Sequence, residues 1–277
     1  MNSMEIELLG RHNRLVKEIK RLSQSAIRDE RGRFLVEGRR VVQELALSQV
    51  EVEELLLGES LLQAEGEPPW LEGLWRRQPE LRVWMVADSV LESLSNTATS
   101  QGFLAVARRP TLELAQFLKA KRLLVLSQIQ DPGNVGTLLR SGLALGIEGA
   151  LLCGGADPYN PKVVRAAAGA VFHLPLYRFR DEELASWSRR LEAEGFTILT
   201  AEAHGGRSII GIEPPRPWAL VLGAEVKGVD SAWQSQAHWQ LHIPLAPQSE
   251  SLNVAAAGAI IMYELARAGA TRGGVES

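Results

Sequence analysis

Four polar residues in three short loops have the side-chain types expected of a functional site. They are one guanidinium, one carboxylate and two carboxamides: Arg140, Glu225, Asn134 and Asn253. Each loop follows a run of apolar residues that predicts a β-strand, at 122–126, 218–222 and 241–243. Ligands bind at the carboxyl ends of the strands in open parallel sheets. The three loops therefore indicate one ligand-binding edge.

Helix capping offers a purely structural explanation for the same residues. Asn134 is a good N-cap for a helix predicted at 134–145, which leaves only a surface arginine to explain. Glu225 could cap a following helix, although the glycines around it permit a backbone to approach a ligand closely. Asn253 would lie in the first turn of a helix predicted at 252–268, where asparagine is a weak helix former.

The elements that must position these loops alternate between strand and helix. In the C-terminal part, strands are predicted at 122–126, 149–152, 197–200, 218–222 and 241–243, and helices at 134–145, 161–169, 182–194 and 252–268. This alternation indicates an α/β fold, a parallel sheet with helices on both faces. In the N-terminal part, helices are predicted at 11–25 and 39–47, and strands at 33–36, 52–57, 81–86 and 101–107. A linker at 108–110 predicts two domains, 1–109 and 110–277.

Composition and absent motifs exclude several classes of protein. With 45% hydrophobic and 23% charged residues, the chain of 277 residues has an ordinary globular composition. Its single cysteine, Cys153, excludes an intrachain disulfide and a cysteine-cluster metal site. No signal-peptide pattern and no run of 18 apolar residues occur, so we expect a cytoplasmic protein without a membrane or metal partner. The dinucleotide, P-loop, zinc-protease and nucleophile-elbow fingerprints do not occur.

The net charge of −3 conceals two segments of opposite charge. Residues 11–40 contain ten Lys/Arg and four acidic residues, whereas residues 41–70 contain seven Glu and no Lys/Arg. A charge run is usually a solvated face of a helix. The basic segment is also compatible with a surface that contacts phosphates.

Together, the three loops resemble the motifs of the SpoU family of RNA ribose 2′-O-methyltransferases, part of the SPOUT superfamily. The family pattern is N-x-G-x-x-x-R, then L-G-x-E-x-x-G, then I-P followed by S-L-N-V. Here it is carried in the same order by Asn134/Gly136/Arg140, Leu222/Gly223/Glu225/Gly228 and Ile243/Pro244 with Ser251/Leu252/Asn253/Val254. The resemblance covers roughly residues 120–270, and Ala224 departs from the Asn that many members carry there.

The resemblance implies S-adenosylmethionine as methyl donor, a ribose 2′-hydroxyl as acceptor and a deep trefoil knot in the C-terminal domain. The cofactor-binding residues that it implies are Leu222, Gly223, Gly228, Ile243, Leu245, Ser251 and Leu252. The catalytic residues that it implies are Arg140, Asn134, Glu225 and Asn253. Because a guanidinium stays protonated in proteins, we expect Arg140 to clamp a phosphate and stabilise alkoxide charge rather than to act as a base. Family members are typically homodimers, so Arg140 could act across a subunit interface.

The N-terminal part resembles the substrate-binding domain of many SpoU enzymes, whose fold is like that of a ribosomal RNA-binding protein. The matching segments are 33–38 and 94–97 leading to 101–102. This resemblance favours RNA contact by the basic residues Arg11, Arg14, Lys17, Lys20, Arg21, Arg31, Arg33, Arg39, Lys162 and Arg165. It favours ribosomal RNA, of the large subunit, as substrate; transfer RNA and a catalytically inactive RNA-binding assembly factor are the alternatives.

Overall fold

The chain folds into two compact units. The computed structural model describes residues 6–95, 100–180, 183–225 and 227–270, with the side chains of 269 and 270 left out. Unit 1 comprises Met1–Thr111 and Tyr159–His173, and unit 2 comprises Leu112–Pro158 and Leu174–Ser277. The domain boundary at residues 109 and 110 stays a prediction. Four residues of the predicted segments lie outside the described residues: Asn96, Thr97, Glu182 and Val226.

The described chain consists of short strands and helices that alternate over much of its length. The strands are β1 (Ile6–Leu8), β2 (Arg33–Glu37), β3 (Val52–Gly58), β4 (Arg82–Val86), β5 (Phe103–Arg108), β6 (Arg122–Ser127), β7 (Gly149–Cys153), β8 (Leu176–Phe179), β9 (Thr197–Ala201), β10 (Arg207–Ser208), β11 (Trp218–Leu222) and β12 (Trp239–His242). The helices are α1 (Arg14–Arg21), α2 (Ser25–Arg31), α3 (Arg39–Leu47), α4 (Glu59–Glu65), α5 (Leu71–Arg77), α6 (Asp88–Leu94), α7 (Leu114–Phe117), α8 (Pro132–Ala144), α9 (Pro161–Ala166), α10 (Ala170–His173), α11 (Leu184–Ala193), α12 (Ser231–Gln234) and α13 (Val254–Ala270).

Unit 1 is built on a mixed sheet with the strand order β1-β4-β3-β5-β2. β4 pairs in parallel with β1 and β3, whereas β5 pairs antiparallel with β2 and β3. α1 and α6 pack together, and Ile19 of α1 and Leu91 of α6 join Leu56 and Val106 of the sheet in one buried cluster. α1, which lies in the basic segment 11–40, therefore covers part of this sheet together with α6.

The continuous helix predicted at 11–25 is wrong, because the structure divides this segment into α1 and α2. α1 begins after Asn13, whose side chain accepts a hydrogen bond from the backbone N–H of Leu15 at 2.9 Å. It ends at Arg21, and the guanidinium of Arg28 then donates to the carbonyl oxygens of Leu22 at 3.0 Å and Ser23 at 2.7 Å. One of the basic residues thus satisfies buried backbone carbonyls rather than facing solvent.

Unit 2 is built on a parallel sheet with the strand order β10-β12-β9-β11-β6-β7-β8. Each pair of neighbouring strands in this sheet is parallel, which confirms the α/β fold expected from the alternation. The central register aligns Leu222 of β11 with Leu126 of β6, and Val221 with Thr200 of β9. The carboxyl ends of β6, β9, β11 and β12 therefore lie at one edge. The trefoil knot stays a prediction.

Helices cover both faces of the parallel sheet, as the sequence predicts. Trp187 of α11 and Trp233 of α12 pack with Val221 in a buried cluster on one face. α13 packs against α8, and Gly258 of α13 lies against the side chain of Leu222. Because successive residues of a strand point to opposite faces, Val221 and Leu222 contact different helices.

Membrane-spanning helices, metal sites and the single cysteine can be examined in the described residues. In the described part of the chain, no helix combines the length and the apolar character that crossing a membrane requires. The described residues also bring together no group of three or more His, Cys, Asp or Glu side chains that could hold a metal ion. Cys153 is a buried free thiol.

Candidate active site

The first motif lies at the start of α8, and the residue that caps this helix is Asp131. Its side chain accepts a hydrogen bond from the backbone N–H of Asn134 at 2.8 Å, and α8 begins at Pro132. The expectation that Asn134 caps this helix is therefore wrong. Asn134 lies in the first turn, so its carboxamide is available for contacts outside the helix.

The carboxamide of Asn134 connects the other two motifs. Its Nδ2 donates to Oε1 of Glu225 at 2.5 Å, and its Oδ1 accepts from Nδ2 of Asn253 at 3.1 Å. An ionised carboxylate only accepts hydrogen bonds, so the amide nitrogen of Asn134 must face Glu225. That orientation leaves its oxygen for Asn253. Asn134, Glu225 and Asn253, called the polar cluster below, thus join residues from all three motifs.

Asn253 also caps the last helix. Its Oδ1 accepts hydrogen bonds from the backbone N–H groups of Ala255 at 2.9 Å and Ala256 at 3.3 Å. The predicted helix start at residue 252 is corrected accordingly, because α13 begins at Val254. Asparagine is among the preferred N-cap residues, so its position just before the helix is structurally favourable. The same side chain uses its oxygen for the cap and its nitrogen for the polar cluster.

The second motif forms a closed loop that requires glycine. The backbone N–H of Gly228 donates to the carbonyl of Ala224 at 2.8 Å. A Cβ on Gly223 would lie only 2.1 Å from the backbone carbonyl carbon of Gly228. Gly228 itself has a φ of +68°, which L-residues with side chains rarely adopt. The glycines of this motif therefore permit a close approach of two backbone segments.

Glu225 is exposed on this loop and does not cap a helix. The following helix, α12, is capped by Asp230, whose side chain accepts from the backbone N–H of Ala232 at 2.9 Å. The capping explanation for Glu225 is therefore wrong as well. Its carboxylate instead accepts the hydrogen bond from Asn134.

Arg140 is exposed on α8 and makes no ion pair or hydrogen bond with any described residue. It follows Asn134 by six residues, which corresponds to about 120° around the helix. The structure therefore does not bring Arg140 into hydrogen-bond contact with the polar cluster. Arg140 instead shares a helix face with Leu143, three residues further on, whose side chain is 36% exposed.

The residues expected to hold the cofactor surround the ends of β11 and β12. Leu222 is buried, Ile243 and Leu245 are half-buried, and Ser251 and Leu252 are exposed. These loops combine half-buried apolar side chains with backbone segments that approach each other closely. Such a surface suits a planar ring that needs both an apolar contact and hydrogen bonds to the backbone. The adenosine part of S-adenosylmethionine has those properties, so the residues present fit this cofactor.

The basic residues expected to contact RNA fall into two groups within unit 1. Five of them form ion pairs: Arg14 and Arg31 with Glu18, Arg33 with Glu53, Arg39 with Glu65 and Arg165 with Glu37. The other five are exposed and form no ion pair with a described residue: Arg11, Lys17, Lys20, Arg21 and Lys162. The hydrogen bond with Arg39 lowers the pKa of Glu65, and the same contact raises the pKa of Arg39.

The residues that follow β9 belong to none of the three motifs. In the sheet, β9 lies between β12 and β11, whose following loops contain the residues expected to bind the cofactor. Glu202 is the first residue beyond β9. The signal that could have identified it is a carboxylate two residues after the strand predicted at 197–200, although the strand order is not readable from the sequence.

Comparison with known families identifies the class of protein. The model of the SpoU rRNA Methylase family matches residues 121–263, and the model of the MRM3-like substrate binding domain matches residues 13–105. The chain belongs to the SpoU rRNA methylase family. The expected family, its RNA methyltransferase activity and its cofactor, S-adenosylmethionine, are thereby confirmed.

Individual relatives match nearly the whole chain. The 23S rRNA (guanosine(2553)-2′-O)-methyltransferase RlmP of Bacillus subtilis is 32% identical over 255 residues, which is 91% of this chain and 96% of that protein. A structure of an rRNA methyltransferase from Sinorhizobium meliloti bound to AdoMet has a TM-score of 0.79 at 26% identity, over 94% of this chain and 97% of that one. The SpoU methyltransferase AviRb of Streptomyces viridochromogenes, in complex with AdoMet, has a TM-score of 0.79 at 27% identity, over 92% and 98%.

Proposed function

We propose that this protein transfers a methyl group from S-adenosylmethionine to one ribose 2′-hydroxyl of large-subunit ribosomal RNA. The observation that carries the proposal is the polar cluster, in which Asn134 bonds to both Glu225 and Asn253. Among the relatives, the B. subtilis protein and a S. viridochromogenes protein, 29% identical over 204 residues, are named as 23S rRNA 2′-O-methyltransferases. They support the large-subunit RNA as the substrate.

The loops after β11 and β12 hold the cofactor in this proposal. S-adenosylmethionine, when bound, supplies an electrophilic methyl group on its sulfonium. The closed loop of Gly223 and Gly228 offers backbone groups, and Ile243, Leu245 and Leu252 offer apolar contact. Holding two reacting groups in line contributes up to about 7–11 kcal/mol to catalysis in ideal cases. Positioning by these loops is therefore the main contribution of unit 2.

The polar cluster orients the acceptor side of the site. Glu225 fixes the carboxamide of Asn134, and Asn253 holds the same carboxamide from the start of α13. A carboxamide held at both ends presents its remaining lone pair and hydrogen in defined directions. Asn134 is then a positioning residue for the ribose, and Glu225 and Asn253 act through it.

Arg140 is the cation that acts on the substrate. Its guanidinium makes no ion pair with a described residue, so its donors are available for a phosphate. A fixed guanidinium also stabilises negative charge that develops on the 2′-oxygen as its proton leaves. Because this group stays protonated, Arg140 does not accept that proton, which is released to solvent water.

We propose that two copies of unit 2 associate through the exposed face of α8 and α13. These two helices pack together, and the face carries the partly exposed side chains of Leu143, Ile260 and Tyr263. Leu143 lies on the same face of α8 as Arg140. Arg140 would then lie next to the interface and act on substrate held by the partner subunit. Sedimentation velocity tests this assembly: Tyr263→Glu should yield monomers, and an unchanged dimer would contradict it.

The exposed cations of unit 1 contact RNA phosphates in this proposal, and the protein acts in the cytoplasm, where ribosomal RNA is. The experiment that tests the function is transfer of a tritiated methyl group to ribosomal or transfer RNA. Incorporation into ribosomal RNA alone supports the proposal. Incorporation into transfer RNA alone, or cofactor binding without transfer to either, would contradict it.

A further inference from the structure

One strand end at the cofactor edge has no role in the family motifs. The order β12-β9-β11 places β9 between the two strands whose loops were assigned to the cofactor. A ligand that touches both of those loops must pass over the end of β9, because neighbouring strands are only about 4.8 Å apart. The residues just beyond β9 are therefore part of the same surface.

Glu202 occupies this position with a fixed backbone. Its N–H donates to the carbonyl of Leu241 in β12 at 2.8 Å, which extends the pairing of the two strands by one residue. The side chain is partly buried, and its Oε1 is fully buried without a hydrogen-bond partner among the described residues. A buried carboxylate oxygen that accepts nothing costs free energy, so a partner that arrives on binding would be favoured.

A second buried polar atom lies at the adjacent strand end. The register aligns Leu241 with Ala201, which places His242 opposite Glu202. Nδ1 of His242 is also buried without a partner among the described residues. Two unsatisfied polar atoms at neighbouring strand ends indicate a site for a ligand with several polar groups.

We propose that Glu202 binds the ribose hydroxyls of S-adenosylmethionine. The proposal rests on the proposed function, since it assumes that this cofactor occupies the edge. An ionised carboxylate accepts hydrogen bonds from hydroxyl groups, and charge-assisted bonds of this kind are strong; because Oε1 is buried, the side chain must turn for both oxygens to take part. The reacting methyl must lie near Asn134, which follows β6. β9 is two strands from β6, about 10 Å, so its end suits the nucleoside rather than the sulfonium.

Calorimetry with S-adenosylhomocysteine is the first test, because this product lacks the sulfonium charge. Glu202→Gln should weaken binding roughly 10- to 100-fold, as expected for loss of hydrogen bonds to a charged acceptor. The matched control is Glu194→Gln, an exposed residue before the other end of β9, which should bind like the wild type. Wild-type affinity in Glu202→Gln would overturn the proposal.

Analogues without one hydroxyl identify the group that Glu202 contacts. The wild type should bind 2′-deoxy- and 3′-deoxy-S-adenosylhomocysteine roughly 10-fold or more weakly than the parent compound. Glu202→Gln should lose most of this discrimination. An equal penalty in both proteins would overturn the proposal, and so would a wild type that binds the deoxy analogues as tightly as the parent. The wild-type measurement needs no variant, so it can overturn the proposal even if Glu202→Gln does not fold.

These experiments distinguish a failure of the proposed function from a failure of the proposal for Glu202. A wild type that does not bind S-adenosylhomocysteine at all would contradict the proposed function. A wild type that binds it without any dependence on Glu202 or on the ribose hydroxyls would overturn only this inference.

Discussion

The charged residues that are expected to contact a ligand have different surroundings in the two units. In unit 1, arginines are neutralised pairwise by nearby glutamates, as in Arg33 with Glu53 and Arg39 with Glu65. In unit 2, the carboxylate of Glu225 accepts from the amide of Asn134, and Arg140 forms no ion pair with a described residue. In unit 1, ion pairs therefore occupy five of the ten cations expected to contact RNA, whereas the four polar motif residues of unit 2 form no ion pair with a described residue.

This difference shows that a count of charges along a sequence overestimates the charge offered to a partner. Exposed ion pairs contribute only about 0–1 kcal/mol to stability, but they still reduce the positive potential seen by a phosphate. In unit 1, the exposed cations without an ion pair to a described residue lie mainly in and next to α1.

Replacing Arg140 should have the largest effect on activity. Arg140→Ala should lower the rate of methyl transfer roughly 100- to 1,000-fold, because a donor that stabilises developing negative charge is lost. Binding of S-adenosylhomocysteine should be unchanged in calorimetry. Arg140→Lys should restore only part of the rate, since lysine lacks the planar fork. If cofactor binding fell as much as transfer, the role assigned to Arg140 would be wrong.

Replacing Gly223 should weaken cofactor binding. In Gly223→Ala the new Cβ meets the backbone of Gly228, which cannot move without opening the loop. Gly228→Ala is the matched variant: its Cβ meets nothing within 4 Å, and only the positive φ costs about 1–2 kcal/mol. Calorimetry should therefore show a much greater loss for Gly223→Ala. Similar losses in both variants would mean that the close approach at Gly223 is not what shapes the loop.

Replacing Asp131 should affect mainly the stability of the protein, whereas replacing Asn134 should affect mainly its activity. Asp131→Ala removes the cap of α8 and should cost about 1 kcal/mol in urea unfolding, with little change in kcat. Asn134→Ala should leave stability nearly unchanged and lower kcat roughly tenfold or more, since it releases Glu225 and Asn253. The opposite pattern would show that Asn134 is structural after all.

The cations of unit 1 should differ according to their ion pairs. A triple variant at Lys17, Lys20 and Arg21, each to Ala, should weaken RNA binding and reduce the salt slope by about 2–3. A matched triple variant at Arg14, Arg33 and Arg39, each paired with a glutamate, should change both quantities much less. Filter binding at several salt concentrations measures both. Equal effects of the two variants would invalidate the comparison of paired and available charges.

The smallest expected effect is on the pH dependence of stability. Burial raises the pKa of Glu54, although Trp84 donates to it at 2.7 Å and Arg82 forms an ion pair with it. A raised pKa means that the stability contributed by this carboxyl is present at low pH and is lost as the pH rises through that pKa. Glu54→Gln should therefore gain stability relative to the wild type as the pH rises from 4 to 7, in urea unfolding. A relative loss over this range would contradict the sign of the shift.

The sequence predicted the main elements of unit 2 better than those of unit 1. The strand predicted at 218–222 agrees with β11, because a buried parallel strand is a continuous apolar run. In unit 1, the predicted helix 11–25 is divided, and the short helices α4, α5 and α6 were not predicted. Those helices have seven residues each, which is too short for the apolar period to distinguish them from loops.

The candidate site could be located from the sequence, but its contacts could not. The three motifs identify the strand ends. The hydrogen bonds of Asn134, however, connect it to Glu225, which is 91 positions away in the sequence, and to Asn253, which is 119 positions away. Asn134 and Glu225 were equally compatible with helix caps, until the structure assigned those caps to Asp131 and Asp230. Glu202 had no motif at all, and its position depends on the strand order, which local sequence does not encode.

The most direct test of the central claim is to map the methyl group on ribosomal RNA. Large-subunit RNA from a deletion strain of the source organism is incubated with S-adenosylmethionine and either the wild type or Arg140→Ala. We expect protection from alkaline cleavage at one nucleotide and a 2′-O-methyl nucleoside in the digest, and both should form roughly 100- to 1,000-fold more slowly with Arg140→Ala. A methyl group on a base, or no methylation of large-subunit RNA by the wild type, would contradict it.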